Sequence, residues 1–155
     1  MKKCLLGALL GLAISFAAPV AMAQNTDATM QTVKPDEVVW KEHPFLKGVQ
    51  TYFLMGDPTK TGLIVSISKF PPHYKIPAHT HPYSEVITVL RGTYWNAMGD
   101  DMEHGVELKP GCSFVLPAGH IHHTWTGDEE TITQATFIGP AGVTFVNPDD
   151  DPRKK

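Results

Sequence analysis

The sequence predicts an all-β barrel or sandwich of short antiparallel strands. Turn signals built from Gly, Pro and Asp recur every eight to twelve residues or so along the middle of the chain, the spacing of such folds. No segment carries a convincing helical stripe of apolar residues. Nothing alternates strand with helix, so a parallel α/β sheet is not expected.

The elements follow in order. Residues 49–55 run into the turn GDPTKTG. Residues 63–70 alternate at Leu63, Val65 and Ile67 and end at Pro71-Pro72, where the missing amide hydrogens stop a ladder. Residues 85–90 are β-branched and stop at Arg91-Gly92, and residues 93–97 continue beyond that turn. Residues 106–108 end at Lys109-Pro110-Gly111, and residues 113–116 end at Pro117-Ala118-Gly119. Residues 122–126 end at Gly127-Asp128, residues 131–138 end at Gly139-Pro140, and residues 143–146 close the domain. Residues 35–41 hold a turn or two of helix at most, because Val38-Val39 is not a helical stripe.

The ends divide from this domain by composition. Lys2 and Lys3 precede an apolar run, and Ala21-Met22-Ala23 fits the small-x-small rule of signal peptidase. Residues 1–23 therefore read as a signal peptide, residues 24–34 as a flexible polar leader, residues 35–147 as the barrel domain and residues 148–155 as a polar tail. The expected location is the bacterial periplasm or the exterior, with no membrane attachment after cleavage. Cleavage removes 23 of 155 residues and leaves one ordinary domain. Without Lys2 and Lys3, 11 Lys and Arg face 16 Asp and Glu. This mildly acidic balance, with no basic stripe, argues against nucleic acid and anionic membrane surfaces as partners. Cys4 leaves with the signal peptide, so Cys112 stands alone and forms no intramolecular disulfide. It opens an apolar run and reads as a small buried hydrophobe.

The chemistry concentrates in two segments, PAHTHPYSE and PAGHIHH. His79 and His81 are two apart, so on an extended strand they share a face. Glu85 keeps that parity, although Pro82 interrupts the strand. His122 is expected from another strand lying opposite, across a cavity. Three imidazoles and one carboxylate, with no thiolate, suit one divalent transition metal: Fe, Mn, Ni, Zn, Co or Cu. Of the neighbouring histidines, His123 should point away from the His122 face and His120 sits in a turn. His43 and His104 read as surface residues. Tyr83, Trp95, Thr124 and Trp125 are candidate pocket walls. Trp95 is placed by its parity with Glu85 across the Gly92 turn, and Thr124 by its parity with His122.

The spacings around these ligands resemble the two motifs of the cupin superfamily. Residues 73–92 match the first, G-x5-H-x-H-x3,4-E-x6-G. Residues 111–126 match the second, G-x5-P-x-G-x2-H-x3-N. The resemblance covers about residues 60–138. It departs at two framework positions, His73 for Gly and Thr126 for Asn; the first suggests a different turn entering the ligand strand, or a His supporting the ligands, and an exposed turn residue is favoured over that supporting role. The resemblance implies a jelly-roll barrel, one divalent metal on His79, His81, Glu85 and His122, and a homodimer as in many members. It also implies a small-molecule substrate or ligand. The activity would be dioxygenase-like or isomerase/lyase-like, with Glu85 leaving the metal to accept a proton in some members; the alternative is a non-catalytic metal- or ligand-binding module.

Overall fold

The computed structural model describes residues 30–99 and 104–154, and a compact unit runs from Val33 to Lys155. The expected signal peptide, its expected cleavage site and residues 24–29 of the expected leader lie outside the described residues. Among those described, no helix is long and apolar enough to cross a membrane.

The strands are β1 (Lys41–Glu42), β2 (Gln50–Met55), β3 (Gly62–Phe70), β4 (Lys75–Thr80), β5 (Glu85–Arg91) and β6 (Tyr94–Met98). They continue with β7 (Val106–Leu108), β8 (Ser113–Leu116), β9 (His122–Thr126), β10 (Thr131–Gly139) and β11 (Thr144–Phe145). Helical structure among the described residues is confined to three single 3-10 turns, the first at Pro35–Glu37. One sheet runs β1-β2-β3-β10-β5-β8 and the other β11-β4-β9-β6-β7, with every pairing antiparallel. This is an all-β jelly roll.

The inward faces of the two sheets supply one apolar cluster. Phe70, Ile87 and Val89 come from the first sheet, and Ile76, Tyr94, Leu108 and Phe145 from the second. Each such side chain contributes about 1.5–3 kcal/mol on full burial. β10 anchors the first sheet: all nine of its residues pair with β3, from Thr131↔Phe70 to Gly139↔Gly62.

Two strands escaped the sequence pattern. β1 has only two residues. β4 reads KIPAHT, and Pro77 hides its periodicity. The structure accommodates that proline where the β4–β9 register shifts, between Ile76 and His79, so no regular ladder hydrogen bond is lost there. The tail is more ordered than its composition suggests. It forms 3-10 turns at Pro148–Asp150 and Pro152–Lys154, and Arg153 is held by Asp151 through two 2.7 Å contacts.

The turn entering β4 adopts the conformation that the motif glycine would give. His73 has φ +56°, in the left-handed region. The His73 side chain is exposed, 3.6 Å from Asp128, and does not touch the ligand rings. Thr126, the other departure, ties the same turn: its hydroxyl donates to the Pro71 carbonyl at 2.8 Å and accepts from the Tyr74 amide at 2.8 Å.

Candidate metal centre

β4 and β9 lie side by side, and their register sets His79 directly against His122. Their ring centroids are 4.0 Å apart. His81, one residue beyond β4, places its ring 4.9 Å from His79 and 5.3 Å from His122. One nitrogen from each ring falls within 4.8 Å of the others.

Backbone carbonyls orient all three rings. His79 Nδ1 donates to Pro77 at 2.7 Å, His81 Nδ1 to Gly142 at 2.7 Å, and His122 Nδ1 to His120 at 3.3 Å. A carbonyl only accepts, so in each neutral ring the proton sits on Nδ1 and the lone pair on Nε2. Tyr83 steadies His81 further, stacking on it at 5.3 Å and on Phe137 at 4.3 Å.

Glu85 opens β5 in the other sheet. Its Oε2 lies 3.7 Å from His81 Nε2, at the border of the histidine group. Burial pushes its carboxyl up to about 7. Burial, then the facing His122 and His81, lowers the His79 imidazole to about 3. Burial, then His81, lowers His122 to about 4. Burial lowers His81 as well, against the opposing hydrogen bond to Gly142. The three rings are therefore neutral near pH 7, with lone pairs free. A divalent cation would favour these same neutral imidazoles and draw the proton from Glu85. This donor set fits a first-row transition metal.

The ligands open onto a cavity of about 790 Å³, mouth included, lined by residues of both sheets. Thr124 and Tyr83 line it, but Trp95 and Trp125 do not. Those two indoles stack at 5.8 Å and 5°, away from the cavity. The parity count from Glu85 fails because the β10–β5 register shifts near Leu90 and because Gly92 turns the chain at φ +76°. Tyr94 takes the inward place instead. The relation of the two ligand segments also differs from expectation. His122 is a hydrogen-bonded neighbour of the His79 strand, and it is Glu85 that reaches across from the opposing sheet.

His120 is an exposed turn residue. His123 is fully buried and stacks on Trp125 at 5.5 Å, outside both the histidine group and the cavity lining. Cys112 is exposed, not buried, because it precedes β8 and stays in the turn. The residue missed from sequence is His43. It sits in the loop after β1, lines the cavity, and its imidazole is lowered to about 4 by burial and then by His81. Its only signal was the apolar company of Pro44, Phe45 and Leu46.

The family model described as a cupin domain matches residues 66–138. The chain belongs to the cupin superfamily. Among solved structures, the polyketide cyclase RemF from Streptomyces resistomycificus superposes with a TM-score of 0.66 and 21% identity. That match covers 81% of this chain and 92% of RemF. KdgF from Halomonas sp. gives a TM-score of 0.57 and 20% identity over 71% of this chain and 94% of its own. The DMSP lyase DddQ from Ruegeria pomeroyi DSS-3 gives 0.58 and 22%, over 72% of this chain and 62% of its own. At these identities the likeness shows the fold. No curated protein matches the chain significantly.

Proposed function

We propose that this chain is an exported metal-dependent cupin enzyme that moves a proton on a small organic substrate, in the manner of an isomerase or lyase. One observation carries this. Three imidazoles pinned through Nδ1 turn their free nitrogens together beside a carboxyl of pKa about 7, at the wall of an apolar cavity.

His79, His81 and His122 would hold one divalent metal, with Glu85 as a fourth ligand. Bound there, the metal supplies Lewis acidity toward a substrate oxygen. Glu85 is matched to its task, since a group with a pKa near the working pH both takes and returns a proton. Tyr83 and Gly142 hold His81 in place while Glu85 works beside it. Lyase and cyclase activities borne by similar folds support the reading by analogy. The signal-peptide pattern of residues 1–23 supports export, and many cupins of this kind support a homodimer.

The test is elemental analysis of the chain purified from the periplasm of a bacterial host, with its N-terminus sequenced. The expected result is about one Fe, Mn, Ni, Zn, Co or Cu per chain and a mature terminus at Gln24. A metal content unchanged in His79→Ala and His122→Ala would sink the metal reading. Glu85→Gln should retain metal yet abolish deuterium exchange into substrate in D2O, once a turned-over substrate is in hand.

A further inference from the structure

The strongest feature not used by the metal centre is the loop that follows β1. His43 and Leu46 tie it down: the His43 amide donates to Val49 at 2.8 Å, and the Val49 amide donates to Leu46 at 3.1 Å. Val49 is fully buried, so the loop is anchored in the core. His43, Phe45 and Leu46 thus stand as fixed walls of the cavity.

The tautomer of His43 follows from its neighbour. The Phe45 amide donates to His43 Nδ1 at 3.2 Å, so Nδ1 is an acceptor and the ring proton sits on Nε2. This is the reverse of how His79, His81 and His122 are held. Those rings offer a lone pair, whereas His43 offers an N–H. That donor has no hydrogen-bond partner among the described residues. His43 and the ligand-candidate His81 line the same cavity.

The rest of the lining limits what can enter. Among the described residues it contains no Lys or Arg, and Glu85 is its one carboxylate. Phe45, Phe53, Phe70, Phe114, Phe137 and Tyr94 present ring surface. In the metal-free chain an anionic molecule would surrender its water here with no cationic side chain to receive it. A ring-bearing apolar body loses little and gains packing.

We propose that the cavity takes a molecule with an apolar ring body and one hydrogen-bond-accepting oxygen, and that His43 orients it by donating Nε2–H to that oxygen. The proposal rests on the cavity being the substrate site of the enzyme proposed above.

The experiment is a set of ligand-observed NMR titrations with acetophenone, ethylbenzene, succinate and glucuronate. In the metal-free chain acetophenone should bind most tightly, at least about ten-fold better than succinate or glucuronate. His43→Phe should weaken acetophenone about three- to ten-fold, the worth of one hydrogen bond, and leave ethylbenzene within about two-fold. His43→Gln keeps an N–H donor and should recover most of the loss. Circular dichroism checks that both variants fold. Tighter binding of succinate or glucuronate by the metal-free chain, binding of none of the four, or an equal loss of acetophenone and ethylbenzene in His43→Phe overturns the proposal. Each titration is run after chelator dialysis and again after zinc loading, and the His43 effect must appear in both. A chain that takes up no zinc defeats the metal reading alone. A chain that loads zinc without the His43 effect defeats this one alone.

Discussion

The two ends of the β4–β9 pair solve different problems. At one end His79 faces His122 across the register, and three rings turn free nitrogens to a common point. At the other end the chain enters β4 through the turn at residues 71–74, strapped to Thr126 and Gly127. The ligand end keeps every motif residue. The turn end departs at both of its positions, with His73 for Gly and Thr126 for Asn. The difference is chemical. A metal site needs particular donor atoms, whereas a turn needs only a backbone angle and a satisfied donor and acceptor. Several side chains can meet that second need.

The largest effect should come from breaking the ligand end. His79→Ala removes a donor and should weaken zinc binding at least about 100-fold. It should also remove most of the stabilisation that zinc gives the parent chain, about 2.7 of the ~4 kcal/mol present at a thousand-fold excess over the parent's Kd. Thermal melts with and without chelator check this. The chelated variant and chelated parent should melt within a few degrees of each other, whereas a large gap there would point to a packing role for His79.

Next is the pH dependence of the metal-free chain. His79 and His122 bind protons near 6.5 when unfolded but only at about 3 and 4 when folded. As pH falls from 6.5 toward 4, the unfolded chain gains protons that the folded chain refuses, so stability falls. Glu85 opposes this. Its folded value of about 7 against an unfolded 4.5 makes it stabilising on the acid side, and that contribution is lost as pH rises from 4.5 to 7. His43, lowered to about 4 by burial and then by His81, acts in the same sense, so three imidazoles outweigh one carboxyl, leaving roughly two net protons, or about 2.7 kcal/mol per pH unit, and the lowered His81 adds to them. Urea titrations at pH 6.5, 5.5 and 4.5 should show the decline, and Glu85→Gln should steepen it. A flat profile in the parent would mean the rings titrate normally.

The legibility of the two ends in the sequence runs parallel to this chemistry. The ligand spacing and the Gly and Pro punctuation named the fold class and brought His79, His81, Glu85 and His122 to one place. Strand parity sorted His123 from His122, because both belong to the regular strand β9. Parity failed for Trp95, where the register shift near Leu90 and the Gly92 turn reset the count. It could not find His43, which reaches the cavity through a loop whose path no periodicity encodes. The pairing of β4 with β9, instead of across the cavity, is a matter of topology, and spacing carries no record of it.

At the turn end, Thr126→Val keeps the shape and removes the hydroxyl. The Tyr74 amide and the Pro71 carbonyl then lose their partner, at a cost of about 1–2 kcal/mol. Zinc affinity should stay within about two-fold, because the ligand rings are held by Pro77, Gly142 and His120 instead. Thr126→Asn, the motif residue, should recover part of the stability. A zinc affinity that falls together with stability in Thr126→Val would show that the two ends are coupled, and the contrast drawn above would fail.

His73→Gly sharpens the contrast by the smallest step. At φ +56° a side chain with a Cβ is crowded, and glycine is not. Relief of that strain is worth about 1–2 kcal/mol, and the extra freedom of an unfolded glycine takes back about half of it. The imidazole itself contributes little in return, since its contact with Asp128 is 3.6 Å and both side chains are exposed. The expected outcome is a gain of about 0.5–1 kcal/mol in chemical denaturation, with zinc binding unchanged. His73→Ala separates the causes. It removes the imidazole but keeps the Cβ, so it should match the parent, whereas a gain equal to that of glycine would assign the effect to the ring and not to the backbone.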